Sequence, residues 1–301
     1  MRNKLVFFAV FGLILFFTLE NHIWGGAIVM AFVLLLGVLI IEFPNANSGS
    51  DEDEEEMVSP NQNINEKYLC YKGVDLNFKE EELVSVLSKH LPYFIKLSFA
   101  NRQKFLQRLK KFISQKSFEI HDESGFKEMP ILISASAIQI SFGLEEYLLS
   151  HFSHIHIFPE EFVGTYPTLR LLEGNVSGNS INLSWKHFLK GFQFPDDGQS
   201  VGLHEMAHAY YYQNFETSEQ VNKNFVSTFN DFNNCSNKAL EQEKQYGNDL
   251  YSDYGLTNLQ EFWAESIELF FEKPTDLKIN YPELFAVIEE ILNQNILALY
   301  G

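Results

Sequence analysis

Positive charge is scarce in this chain. It carries 22 Lys and Arg against 40 Asp and Glu, a formal net charge of −18 over 301 residues. That balance excludes a nucleic-acid partner and argues against docking of the folded part on an anionic lipid surface. Cysteine is scarcer still. Cys70 and Cys235 stand alone, without a C-x-x-C pair or the spacing of a disulfide framework, which suits a reducing compartment. No internal repeat is visible, which excludes solenoids and propellers. No histidine follows His208, and this limits where a further metal ligand can come from.

Apolar residues are plentiful, 46% of the chain, with 29 Phe among them. Two runs free of charge, residues 5–19 and 23–41, are separated only by Glu20, Asn21 and His22. A helix crosses a bilayer with about 17–25 residues, so the second run spans easily and the first spans with help from Met1 to Lys4. The pair reads as a two-span helical membrane hairpin, residues 1–43, that places the chain in a lipid bilayer through residues 5–41. Arg2 and Lys4 hold the N-terminus inside, so two spans return the rest to the cytosolic face of a bacterial inner membrane. A cleaved signal lacks an A-x-A-like site here, and a single span would put the rest outside. Residues 44–66 form an acidic linker with the run Asp51-Glu52-Asp53-Glu54-Glu55-Glu56, a self-repelling spacer. Residues 67–301 form one domain.

Within that domain, 78–91 and 100–113 have helical periodicity, and the basic side of the second (Arg102, Lys104, Arg108, Lys110, Lys111) reads as solvated surface. Residues 130–142 fit a buried helix or a strand equally. Residues 154–158 alternate and predict a strand. Its histidines, His154 and His156, together with His151, read as surface or packed residues, because alternating histidines beside an apolar face are usually that and no acidic or cysteine ligand clusters with them. Residues 174–185 predict a hairpin turning at Gly178-Asn179. Asp197 or Ser200 caps the next helix, Thr257 and Gln260 have capping-box spacing before a helix to about Phe271, and a last helix covers 284–297.

His204-Glu205-Met206-Ala207-His208 lies on the first of these capped helices. Residues four apart share a helix face, so both imidazoles can grip one Zn2+ ion while Glu205 reaches a water at its open position. Catalytic zinc takes three protein ligands. The position six residues after His208 is Asn214, so the metzincin pattern is excluded. The third ligand is then a carboxylate or an earlier histidine. The helix from Thr257 offers Glu261, Glu265, Glu268 and Glu272. The last two read as solvated surface. Glu261 and Glu265 flank Phe262-Trp263-Ala264 and, if buried, need a partner: zinc for one and a metal-bound imidazole N–H for the other. Spacing alone does not say which is which.

Residues 171–185, with Gly178-Asn179-Ser180-Ile181-Asn182-Leu183-Ser184-Trp185, then Leu203 to His208 and Asn258 to Phe271, resemble the MtfA family of bacterial glucose-regulated zinc metallopeptidases. The resemblance runs from about residue 91 to 293 and extends distantly to the catalytic domain of anthrax lethal factor. It implies an α+β, zincin-like domain, mostly helical with a small sheet. It also implies one zinc ion per chain on His204, His208 and Glu261, with the Glu265 carboxylate standing behind these ligands. Tyr254, seven residues before Glu261, matches the tyrosine that faces substrate and would steady an oxyanion. The chain departs from the family at Ala209-Tyr210-Tyr211, where a Lys-Leu-Asp-like stretch is usual.

The chemistry expected is peptide hydrolysis, with Glu205 taking a proton from a zinc-acidified water and returning it to the leaving amine. The strand Asn182, Leu183, Ser184 and Trp185 is expected to bind an extended peptide or protein substrate by strand addition. The resemblance leans toward aminopeptidase-like activity. A second reading makes the protein a regulatory binder that sequesters a cytosolic partner such as a transcriptional repressor.

Overall fold

The computed structural model describes residues 69–300 except 123–124, 126–127, 165–168, 216–222 and 248–249. The membrane hairpin of residues 1–43 and the linker of 44–66 lie outside the described residues. Among the described residues no helix is long and apolar enough to cross a membrane.

The chain opens with β1 (Leu69–Lys72), a 3-10 turn (Gly73–Asp75) and three helices, α1 (Glu80–His90), α2 (Pro92–Lys96) and α3 (Phe99–Ser114). Strand β2 (Ser117–Ile120) leads to α4 (Glu128–Ser141), which is buried from Met129 through Ser141. A helix apolar on every side shows no periodicity, which is why 130–142 could not be told from a strand. Next come β3 (His154–Phe158), a small hairpin of β4 (Phe162–Gly164) and β5 (Arg170–Leu172), then β6 (Gly174–Ser177) and β7 (Ser180–Ser184). The helical half follows: α5 (Trp185–Gln193), α6 (Val201–Phe215), α7 (Lys223–Tyr246), α8 (Leu259–Glu272), α9 (Pro274–Asn280), α10 (Pro282–Leu292) and α11 (Leu297–Tyr300). This is the mixed architecture expected, mainly helical with a small sheet.

The five-stranded sheet has the order β1-β2-β3-β7-β6, with the inner pairs β2–β3 and β3–β7 parallel and the outer pairs antiparallel. The 154–158 strand lies where alternation puts it. Ile155 and Ile157 are buried under the helices, while His154 and His156 face the other way. The hairpin at Gly178-Asn179 forms as expected, but Trp185 opens α5 instead of closing the strand.

One expectation is corrected by the strand order. β7, which holds Asn182, Leu183 and Ser184, pairs with β3 on one side and β6 on the other, so it has no free edge for a substrate strand. The outer strand on this side is β6.

The helix caps are local and mostly follow sequence. Ser200 Oγ accepts the Leu203 N–H at 3.4 Å and begins α6, while Asp197 serves the Gln199 N–H in the preceding turn. At α8 the cap is Asn258 rather than Thr257: Asn258 Oδ1 accepts the N–H groups of Gln260 and Glu261 at 2.9 and 3.0 Å. The last helix is shorter than expected, because Asn293 adopts a left-handed conformation (φ 48°) and closes α10. A long helix, α7, was not anticipated. Its Phe225, Phe229 and Phe232 pack around Trp263 of α8. The Trp263 indole N–H donates to the Ala207 carbonyl at 3.0 Å, pinning α8 against the middle of α6.

Candidate metal centre

Helices α6 and α8 pack together, and between them three side chains converge. His204 and His208, one turn apart, face Glu261 from the first turn of α8. Their Nε2 atoms are 3.1 Å apart and lie 3.1 and 3.2 Å from Glu261 Oε2. His204 Nδ1 donates to Glu268 Oε1 at 2.7 Å, which leaves Nε2 of the neutral ring with a lone pair. Nitrogen and oxygen lone pairs then point at a common centre, an arrangement that needs a cation. Zinc with bonds of about 2.0–2.1 Å would separate tetrahedral donors by about 3.3 Å. The observed triangle fits that ion, and His204, His208 and Glu261 are the three-donor set that the described residues close.

The site's electrostatics agree. Burial disfavours a charged imidazole at His204, yet Glu268 and Glu261 outweigh it and raise its pKa well above the ordinary value. Burial also opposes the charge of Glu261, but hydrogen bonds from His204 and His208 hold its carboxyl far below the usual range. Both shifts have one cause: the carboxylates gathered here favour a positive charge between them and the imidazoles, which a bound cation would supply.

Glu205 points to the same cleft from the next position on α6. Its side chain is buried, its Oε2 has no hydrogen-bond partner among the described residues, and burial pushes its pKa up. Edge strand β6 runs directly above it. A Cβ on Gly174 would stand 2.5 Å from Glu205 Oε1, so glycine lets the strand approach the carboxylate this closely. Tyr254 donates to Glu261 Oε1 at 3.0 Å. Burial and the nearby Glu261 carboxylate raise the phenol's pKa, with Arg170 of β5 acting against them, so the proton stays on oxygen at neutral pH.

The carboxylates of α8 divide differently from the sequence expectation. Glu265 does not meet an imidazole. It accepts the Ser252 N–H at 2.9 Å and a short bond from Ser252 Oγ, while Ser252 Oγ accepts the Gly255 N–H at 3.0 Å. Glu265 thus holds the segment that carries Tyr254, and Gly255 packs so tightly that a Cβ there would meet the carboxylate at 2.2 Å.

Nor are Glu268 and Glu272 solvated surface. Glu268 is only 5% exposed and clamps α6 twice, through His204 Nδ1 and through the Ser200 N–H. Glu272 accepts the Gly198 N–H at 2.9 Å, and burial with Glu268 nearby pushes its pKa up to about 8. Helix geometry gives the reason. A step of seven residues returns to within about 20° of the starting direction, whereas a step of four overshoots by about 40°. Glu268 therefore shares Glu261's line toward α6, and Glu265 is turned toward residues 251–255.

The cleft around these groups has a volume of about 880 Å³ and is walled by β5 and β6, by Tyr211 and Tyr212 of α6, and by Tyr251 and Tyr254. Asn182, Leu183, Ser184 and Trp185 do not line it; Gly174, Asn175 and Val176 do. Sequence reasoning missed Glu268, Ser252 and the edge position of β6. The seven-residue spacing from Glu261 to Glu268 was the one legible signal among them.

Two histidines one helical turn apart, a carboxylate from a second helix and an adjacent buried glutamate make up a centre of the metallopeptidase type. The model of the glucose-regulated metallo-peptidases, M90, matches residues 74–292, and the chain belongs to that family. It is also similar to an uncharacterized protein of Synechocystis sp., with 24% identity over 226 residues, covering 68% of this chain and 81% of that protein.

Proposed function

We propose that this protein is a zinc-dependent peptidase that hydrolyses peptide bonds in the cleft between β6 and α6. The observation that carries this reading is the buried Glu205 carboxylate, one oxygen of which has no partner among the described residues, beside a closed three-donor set. A zinc ion on His204, His208 and Glu261 would supply an acidified water and a Lewis-acid contact for the scissile carbonyl. Glu205 takes the proton as the water attacks and returns it to the departing amine. Tyr254 donates its O–H to the carbonyl oxygen as negative charge builds there. Glu265, through Ser252, keeps that phenol at the cleft, and Glu268 holds His204 in the tautomer that presents Nε2.

The strand-addition reading passes from β7 to β6. An extended peptide lying along Gly174–Ser177 would pair with the outer side of the sheet, its scissile bond above Glu205. An aminopeptidase-like preference belongs to the same proposal, as does anchoring of the domain by the apolar runs of residues 5–19 and 23–41 on the cytosolic face of a bacterial inner membrane.

The test is cleavage of a mixed peptide library by the full chain, read by mass spectrometry, before and after chelation and after zinc is restored. Cleavage that stops on chelation and returns with zinc supports the proposal, and the fragments give the preference. A zinc-loaded protein that cleaves nothing points instead to a binding protein.

A further inference from the structure

A second group of histidine and carboxylate side chains lies away from the cleft, on the face of the sheet opposite the core. Strands β2 and β3 run in parallel with Glu119 opposite His156, and the ladder continues past β2 through the His121 N–H, which donates to the Ile157 carbonyl at 2.8 Å. Alternation puts Glu119, His121, His154 and His156 on one face, because Phe118, Ile120, Ile155 and Ile157 fill the other. Strand pairing brings the Glu119 carboxylate to these histidines.

The contacts form a chain. His154 Nδ1 lies 2.9 Å from Glu119 Oε1, His156 Nδ1 lies 3.4 Å from Glu119 Oε2, and His121 Nε2 lies 3.2 Å from His156 Nδ1. The ring nitrogens of His121 and His156 thus face each other beside the Glu119 carboxylate. A cation between the two nitrogens would be held by both, and their separation is close to the roughly 3.3 Å of paired zinc ligands. Stacking of His121 on Phe158, with centroids 4.2 Å apart and planes at 13°, holds one donor ring in place. The group is also open to solvent, with the side chains of His154, His156 and Glu119 exposed by 41%, 23% and 19%.

We propose that His121, His156 and Glu119, with His154 at the rim, form a second binding site for a divalent transition-metal ion, of which imidazole and carboxylate donors make zinc a natural occupant. Unlike the helical site, where three donor atoms already lie within 4.8 Å of one another, this set closes by rotation of the Glu119 carboxylate from His154 toward His121. The site is therefore weaker than the first. It ties β3 to the chain leaving β2 and takes no part in peptide hydrolysis.

The test is zinc stoichiometry of the full chain, saturated with zinc and then dialysed against a weak chelator, measured together with peptide cleavage. Two ions per chain are expected in the wild type. His121→Ala/His156→Ala should keep one ion and full cleavage, and His204→Ala/His208→Ala should keep one ion and lose cleavage. One ion in the wild type, or a second ion that persists in His121→Ala/His156→Ala, overturns the proposal without touching the reading of the helical site. If the alanine pair fails to fold, Glu119→Gln decides: affinity for the second ion must fall tenfold or more with the first site still filled, and unchanged affinity rejects the site.

Discussion

The two histidine groups are built from similar parts and differ in preparation. On α6 the pair is spaced by one helical turn, and a carboxylate from α8 completes a triangle with sides of 3.1, 3.1 and 3.2 Å. On β3 the pair is spaced by one strand repeat, so the rings stand side by side, 6.4 Å between centroids, and share one carboxylate between them. The helical group also has Glu268 behind it, which fixes a tautomer, and Glu205 beside it, one of whose oxygens has no hydrogen-bond partner among the described residues. In the sheet group the carboxylate, Glu119, is itself one of the donors. What separates a catalytic centre from a cluster of donors is thus the supporting carboxylates: one to orient a ligand and one left unsatisfied for chemistry.

Substitutions can break that contrast at several strengths. The largest effect is expected from Glu205→Gln, which should lower kcat by about 10²–10⁴-fold, the usual worth of a general base, while zinc content is unchanged. Loss of zinc together with activity would mean that Glu205 is a structural residue. Tyr254→Phe removes one hydrogen-bond donor to the developing oxyanion and should cost about 10²–10³ in kcat with little change in KM. A rise in KM alone would place Tyr254 in substrate binding.

Glu268→Gln should weaken zinc binding by about 10–100-fold, as expected for the partner of a ligating imidazole. Glu265→Gln should leave zinc affinity intact and reduce kcat by acting through the Tyr254 segment. If the two variants changed places, the assignment of these carboxylates would be reversed.

The smallest effect is a pH dependence at Glu272. Its folded pKa of about 8 lies above the ordinary 4.5, so the folded state holds the extra proton between those values. The stability this contributes is complete below about pH 4.5 and is lost as pH rises through about 8. Glu272→Gln, which mimics the protonated form, should therefore gain in Tm relative to the wild type on going from pH 5 to 8. A pH-independent difference in Tm would show that the carboxyl is ionised throughout.

Sequence revealed what local geometry governs. The four-residue spacing of His204 and His208 needs only a helix, the alternation of 154–158 needs only a strand, and the turn at Gly178-Asn179 needs only its own residues. It was silent where distant segments meet. Nothing near Asn182 says that β3 will pair on one side and β6 on the other, so the substrate edge was assigned one strand too far in. Nothing near His156 announces Glu119, 37 positions earlier, because parallel pairing joins residues far apart in the chain. The exchange between Glu265 and Glu268 is an intermediate case. Helical pitch contains the answer, but only once α6 is known to lie against the line of Glu261.

The measurement that tests the central claim most directly is zinc stoichiometry and kcat on one peptide substrate for the wild type and Glu205→Gln, in the His121→Ala/His156→Ala background so that only the helical site can hold zinc. One zinc ion in both proteins, with turnover confined to the chain that keeps Glu205, is the result predicted. Equal turnover in the two chains, or absence of zinc from both, would contradict the account.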